Sequence, residues 1–230
     1  MGRFLSHRGG DKNSPALMKA LNVIGSDVNN FECPWCGCND RDRHLLLYIE
    51  ALGLASRFSD ANVLHVAPEK TLRSFVLDQQ PNMYLAIDLA RKPFVSAQMN
   101  VENLALAPQS VNIVIANHVL EHIDNLKSAL SEFFRVLKPG GLAILQTPYS
   151  SILRSTFCDP GITADAARLE AYGQEDHVRL FGADVFDLVE HAGFTSKVVE
   201  HKQVLAHIDP KRSGINPREP LFLFEKPNSS

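Results

Sequence analysis

The chain reads as an α/β fold, a largely parallel sheet with helices packed on its faces, and three consecutive stretches between residues 111 and 146 predict it. Val111-Asn-Ile-Val-Ile-Ala116 is an apolar, β-branched run of the kind that forms a strand buried on both faces. A stripe of apolar residues at helical steps follows, Leu126, Ala129, Leu130, Phe133, Phe134 and Leu137, with Asp124 placed to cap it. Lys138-Pro-Gly-Gly141 then stops the helix, and Leu142-Ala-Ile-Leu-Gln146 starts the next strand. With the polar switch at Asn117-His118 between the first strand and the helix, this is one βαβ unit.

The remaining elements follow the same pattern. Asn62-Val-Leu-His-Val66 predicts a strand and residues 69–77 the helix behind it. Tyr84-Leu-Ala-Ile-Asp88 predicts a strand ending in an acid, and Met99-Asn-Val101 a short third strand or its exit. Residues 184–192 predict a helix stopped by Gly193, and 194–200 and 221–225 the last two strands. Residues 150–182 are polar, irregular and long for a connector, the character of a lid or substrate loop. Ahead of the sheet, residues 15–24 predict a short helix, 33–39 a compact turn and 40–54 a longer helix, while 1–14 are expected to be poorly ordered. The organisation is an N-terminal extension over 1–60, with a cysteine knuckle and a cap helix, followed by one domain over 61–230.

A chain of 230 residues, 45% hydrophobic and 21% charged, suffices for one well-buried α/β domain. The net charge of −3 and the lack of any run of five like charges argue against nucleic acid as a partner. No stretch has the length of a signal peptide or a membrane span, so no membrane partner is expected. Met1-Gly-Arg-Phe-Leu-Ser6 satisfies the loose myristoylation pattern, which is short enough to arise by chance. Of the four cysteines, Cys33, Cys36 and Cys38 lie close together and Cys158 stands alone. That spacing suits a metal site or free thiols better than a secreted disulfide framework, and the cytoplasm is the expected compartment.

His118-Val-Leu-Glu-His-Ile123, followed by Phe133-Phe-Arg-Val-Leu-Lys-Pro-Gly-Gly-Leu-Ala-Ile-Leu-Gln-Thr-Pro148, resembles the fourth-strand to fifth-strand region of class I S-adenosylmethionine-dependent methyltransferases. The resemblance extends over about residues 61–226. His65-Val-Ala-Pro-Glu69 is further similar to a glycine-poor subgroup that shares a cysteine-containing start, here Cys33-Pro-Trp-Cys-Gly37, and a late Gly173-Gln-Glu-Asp-His-Val-Arg179. The resemblance implies a doubly wound, Rossmann-like seven-stranded sheet with helices on both faces and a methyltransferase of EC 2.1.1 type. It places S-adenosylmethionine at the carboxyl ends of the strands. Asp88 would accept both ribose hydroxyls, which its two oxygens suit, although an acid there could also cap a turn. Asn100 and Val101 would meet adenine; His65, Ala67, Pro68, Glu69, Leu89, Asn117 and His118 would complete the cofactor site. The first loop departs from the family in having no glycine. Pro68 at a first helical position and Glu69 in the first turn offer a substitute, with Glu69 meeting the cofactor ammonium and free helix N–H groups its carboxylate.

For the chemistry, His177 is the candidate general base, with Asp176 or Glu175 orienting it and Arg179 clamping an anionic acceptor. The alternative is an Asp176–Arg179 pair that pins the loop. His118 should face the cleft, whereas Glu121 and His122 suit a fold-stabilising hydrogen bond at least as well as catalysis. Cys33, Cys36 and Cys38, with His44 downstream, supply four candidate zinc ligands, although their spacing is uncommon for zinc and no second C-x2-C half is present. Otherwise they are reduced thiols packing a turn around Trp35. The expected activity is methyl transfer to a small-molecule or glycan-type acceptor. The rival is a methyltransferase-like scaffold that has lost its cofactor through the glycine-free loop.

Overall fold

The structure, a computed structural model, describes residues 4–228. Met1-Gly-Arg3, the start of the myristoylation pattern, lies outside the described residues. The N-terminal segment holds α1 (Ala16–Ala20), β1 (Val23–Ile24) and α2 (Asp40–Ala51). The sheet region then runs β2 (Asn62–Val66), α3 (Lys70–Asp78), β3 (Met83–Asp88), β4 (Ala97–Gln98), β5 (Val111–Ala116), α4 (Leu126–Val136) and β6 (Leu137–Ile144). It finishes with β7 (Tyr149–Ser150), α5 (Asp165–Tyr172), α6 (Val185–His191), β8 (Thr195–Ser196), α7 (His201–Val204), α8 (Pro210–Ser213) and β9 (Leu223–Glu225). Among the described residues, no helix is long and apolar enough to cross a membrane.

Seven strands form one sheet in the order β4-β3-β2-β5-β6-β9-β8. The first five of these are parallel to one another, and β9 runs antiparallel to both β6 and β8. The chain leaves β2 towards one edge through β3 and β4, then returns to β5 on the other side. This reversal opens a crevice outside the carboxyl ends of β2 and β5, where doubly wound folds bind ligands.

Alternation of side chains explains why the central strands are mostly apolar on both faces. Leu64, Val66, Val114, Ala116 and Ala143 face one core with Leu130, Phe133 and Val136 of α4 and Val185 and Val189 of α6. Val63, Ile113, Ile115, Leu142 and Ile144 face the other with Leu45, Tyr48 and Ile49 of α2 and Leu72 and Val76 of α3. The N-terminal segment is thus built into the same interior: α2 covers one face of the sheet, and β1 pairs with β7.

Several local expectations are corrected. The helix over 15–24 is only α1; Asn22 turns the chain at a φ of 51° and β1 follows. The first residues are not featureless: two 3-10 turns, His7–Gly9 and Asp11–Asn13, pack there. Asn125 rather than Asp124 caps α4, its side chain accepting the Ser128 N–H at 3.1 Å. Residues 150–182 contain β7 and α5, the latter missed because Tyr172 is its single buried residue and it shows no broad apolar stripe. The strand after α4 begins at Leu137 and not Leu142: Val111 pairs with Leu137, the register then shifts, and Ile113 pairs with Leu142.

Gly141 is required by that shift. A Cβ there would lie 2.8 Å from the Lys138 carbonyl oxygen and 3.0 Å from that of Asn112, both backbone atoms. We therefore expect Gly141→Ala to cost about 1–3 kcal/mol of stability in urea unfolding. A change within error would show that the β5–β6 step is not rigid.

Candidate active site

Two left-handed residues shape the crevice. Ala67 leaves β2 at a φ of 48°, and His118 leaves β5 at a φ of 54°. Their N–H groups donate to Ile87 and Gln146 carbonyls, both at 2.8 Å. A non-glycine residue there costs about 1–2 kcal/mol, and such strain gathers where a structure needs one particular geometry. The glycine-free first loop therefore makes the glycine-like turn through Ala67, whose methyl is the smallest side chain that still has a Cβ.

A cavity of ≈ 620 Å³ lies over the exits of β2, β3 and β5, lined from the sheet side by Ala67, Asp88, Leu89, Asn100, Val101 and Val119. The N-terminal segment roofs it with Ser26, Val28, Phe31 and Arg41. Asp88 is buried at the end of β3; its Oδ1 accepts the Ala90 N–H at 2.9 Å and its Oδ2 pairs with Lys92 at 2.7 Å. Asn100 is exposed and accepts the Glu102 N–H through Oδ1. Arg41 is the unexpected member: its Nε is buried without a partner, and its guanidinium lies 5.7 Å from the Phe31 ring centre. A lining cation with an unused donor suits an anionic group on a ligand.

His65, Pro68, Glu69 and Asn117 do not line this cavity. His65 is fully buried between the Tyr84 hydroxyl at 2.8 Å and Glu69 Oε2 at 3.0 Å. Asn117 donates to Glu69 Oε1 at 2.7 Å. Both oxygens of Glu69 are therefore spent on joining the β2 and β5 exits, and are not available for an ammonium group. Pro68 precedes the cap Glu69 and helix α3 begins at Lys70, so the first helical position is not proline.

A second cavity of ≈ 560 Å³ adjoins the first, with Lys19, Asp27, Pro148, Tyr172, His177 and Arg218 in its wall. His118, Gln174, Ser26 and Val28 belong to both walls, so the two cavities meet at the exit of β5. Beneath that neck lies a buried chain of charge. His118 Nε2 is 3.2 Å from Glu219 Oε1, and its Nδ1 is 3.5 Å from Glu121 Oε1. Burial and the Arg41 charge oppose protonation of His118, yet its bonds to Glu121 and Glu219 raise its pKa overall. Burial would raise Glu121 and Glu219, but their bonds to His118 bring each down to about 2.

The Gly173–Arg179 cluster divides into separate tasks. Glu175 pairs with Arg8 at 2.7 Å, and Asp176 Oδ2 sits 3.3 Å from His122 Nδ1. Asp176 thus orients His122, not His177, whose Nδ1 meets the Tyr172 carbonyl at 3.0 Å. The other nitrogen, Nε2, is buried without a partner and faces Glu121 Oε1 at 3.9 Å. His177 lies in the wall of the second cavity, with Nδ1 on a backbone carbonyl and Nε2 turned to Glu121, while the supporting role expected of Asp176 is not seen because Asp176 meets His122. Arg179 neither clamps a ligand nor pairs with Asp176; it donates to the Leu120, Ile123 and Asp124 carbonyls.

Cys36 lies within hydrogen-bonding reach of the Cys33 sulfur, but the three cysteines and His44 do not converge on one point. Cys38 is buried with Sγ directed to the Asn39 carbonyl, Cys36 is exposed and Cys33 is half-buried. His44 is spent on His201 at 3.0 Å and Glu219 at 3.8 Å. Among the described residues, no three of these groups reach metal-ligand spacing. Trp35 is exposed rather than packed beneath the turn.

Arg41 and Glu219 were not singled out from sequence. The signal for the first lay in Asp40-Arg-Asp-Arg-His44, charged residues opening an otherwise apolar helix. Asp40, Asp42 and His44 of that run are buried.

The comparisons with known proteins agree with this architecture. Residues 59–145 match the family model Methyltransf_11, a methyltransferase domain. A Mycolicibacterium smegmatis protein named "Probable S-adenosylmethionine-dependent methyltransferase" is 34% identical over 129 residues, 54% of this chain and 46% of that protein. The malonyl-[acyl-carrier protein] O-methyltransferase of Yersinia pestis is 36% identical over 64 residues, 26% of this chain and 24% of that protein. The matches span less than half the length of these curated relatives. The YcgJ protein of Bacillus subtilis superposes with a TM-score of 0.53 at 14% identity, covering 81% of this chain and 100% of that one. The 1,6-didemethyltoxoflavin-N1-methyltransferase of Burkholderia thailandensis, solved with its namesake compound and S-adenosylhomocysteine, gives 0.51 at 18% identity, covering 82% and 80%. The chain has the methyltransferase fold.

Burial pushes the Asp42 carboxyl up to about 7, with the nearby Glu69 charge adding to it, from an ordinary 3.8. The folded chain thus holds this proton more tightly than the unfolded chain. The associated stability is complete below 3.8 and is lost as pH rises through about 7. Asp42→Asn should melt above the parent protein at pH 8, with the gain shrinking towards pH 5. A gain independent of pH would contradict the buried-carboxylate account.

Proposed function

We propose that the chain transfers the methyl group of S-adenosylmethionine to a small-molecule or glycan-type acceptor, with the cofactor in the first cavity and the acceptor in the second. The observation that carries this reading is the meeting of two cavities at His118, directly outside the strand reversal. The first has the size of a small-molecule site, and its wall suits the cofactor's parts. Asp88 offers two carboxylate oxygens at the ribose position, and Lys92 must yield one of them. Asn100 and Val101 flank the adenine end. Arg41 offers an unpaired donor to the carboxylate of the methionyl end, a role proposed here in place of free helix N–H groups.

The bound cofactor would supply an electrophilic methyl group on a positively charged sulfur. The protein's part is to align the acceptor with that methyl and keep water from the neck. His118 is locked there by two carboxylates, so it fixes the neck's shape and charge and is not free to abstract a proton. The Burkholderia enzyme, a 1,6-didemethyltoxoflavin-N1-methyltransferase with 1,6-didemethyltoxoflavin bound on the same fold, supports a small-molecule acceptor. The family match over 59–145 and the wall of the first cavity favour this reading over a scaffold without cofactor.

S-Adenosylhomocysteine at about a hundred times its Kd should raise the melting temperature by about 5–10 °C. Asp88→Ala should remove most of that shift while melting within a few degrees of the parent when both are ligand-free. An undiminished shift in Asp88→Ala would remove the ribose assignment, and no shift in the parent protein would remove the cofactor reading.

A further inference from the structure

We propose that Glu121, His122 and His177 form a binding site for a divalent transition-metal ion of the zinc class. One candidate ligand atom from each residue lies within 4.8 Å of the other two. Glu121 and His177 are 1% and 3% exposed. Glu121 Oε1 and His177 Nε2 are both buried without a hydrogen-bond partner, yet they face each other at 3.9 Å. That is too long for a hydrogen bond. It is close to the separation of about 3.3–3.6 Å between two ligands on one tetrahedral ion with bonds of about 2.0–2.2 Å. Glu121 Oε1 has only the His118 contact at 3.5 Å and His177 Nε2 has no hydrogen bond, so each keeps a lone pair for something placed between them.

The atoms turned away from this point are each held by a second partner. His177 Nδ1–H is directed to the Tyr172 carbonyl at 3.0 Å, leaving the Nε2 lone pair inward. His122 Nδ1 is 3.3 Å from Asp176 Oδ2, so Nε2 is its remaining nitrogen. Glu121 Oε2 accepts the Thr147 hydroxyl at 2.8 Å, leaving Oε1 inward. Histidine ligands fixed by a carbonyl and by a carboxylate, and a ligating carboxylate that is itself hydrogen-bonded, are the outer shell that metal sites use. Two imidazoles and one carboxylate suit zinc and its neighbours, whereas magnesium and calcium prefer all-oxygen sets.

The ion would join two parts of the chain. Glu121 and His122 belong to the 3-10 turn Leu120–His122 just after β5, and His177 comes from the segment between α5 and α6. Bound there, the ion fastens the segment that supplies Gln174 to the neck between the two cavities. This gives His177 a use that needs neither nitrogen open to the acceptor. The site is distinct from the cysteine turn, and the proposal does not rest on methyl transfer.

Cobalt(II) serves as the probe, added to chelator-treated, tag-free full-length protein. The expected result is one equivalent bound, with visible d–d absorption and no sulfur-to-cobalt charge-transfer band, displaced by Zn2+. The Cys33→Ser/Cys36→Ser/Cys38→Ser triple variant should bind as well as the parent. Glu121→Gln, which keeps the shape of the side chain, and His122→Ala, at a half-exposed position, should each weaken binding at least ~100-fold. Thr147→Val should weaken it about 10–100-fold. No stoichiometric binding, a thiolate band lost in the triple variant, or affinity unchanged in both Glu121→Gln and His122→Ala would each overturn the proposal. Failure to fold of one variant leaves the other and the parent spectrum to decide. S-Adenosylhomocysteine binding measured in chelator reports separately on the cofactor reading.

Discussion

The structure turns on a buried run of charge, Glu121–His118–Glu219, beneath the point where β5 ends. The His118 ring, its pKa raised by these partners, is held at 3.5 and 3.2 Å between two carboxylates that come from distant parts of the chain. Each ion pays a desolvation cost of several kcal/mol, which is offset only if its partners stay in place. Removing any one member would leave a buried charge unpaired, a loss of about 3–5 kcal/mol in comparable pairs. The interaction therefore works more as a lock on geometry than as a source of net stability. It holds His118 in its left-handed turn, and His118 divides the two cavities.

Other polar links radiate from this lock. Glu219 reaches His44 of α2 at 3.8 Å, and His44 reaches His201 of α7 at 3.0 Å. Arg179 satisfies three carbonyls of the turn containing Glu121. Glu69, gripped by His65 and Asn117, ties the β2 exit to the β5 exit in a similar way. The crevice is thus framed by hydrogen-bonded polar groups on a rigid sheet, while the N-terminal segment roofs it with Phe31 and Arg41.

The sheet was legible because its central strands are buried on both faces and therefore mostly apolar, as β2 and β5 are apart from Asn62, His65 and Asn112. Asp88 was legible because an acid at the end of such a strand points into the crevice, and the structure puts it in the cavity wall. His65 and Glu69 lay in a recognisable loop, but sequence order does not say which face of a strand exit a side chain takes. The partners of the Gly173–Arg179 cluster were hidden for a related reason. A polar cluster in a long loop looks like a catalytic loop, yet Glu175, Asp176, His177 and Arg179 each meet a different partner, three of them far along the chain. Arg41 and Glu219 were hidden because their importance arises from contacts across the fold, and no local spacing marks such contacts. The cysteine turn shows the limit of spacing as a guide: Cys33, Cys36 and Cys38 are close in sequence, but Cys38 packs inward while Cys36 faces solvent.

The central claim is that cofactor and acceptor occupy the two cavities and meet at His118. The most direct measurement is a crystal structure of the protein with S-adenosylhomocysteine. The ribose should lie on Asp88, the terminal carboxylate against Arg41, and the sulfur beside His118, facing the cavity walled by Tyr172 and Arg218. A ligand bound elsewhere, or one whose sulfur points away from that second cavity, would contradict the account.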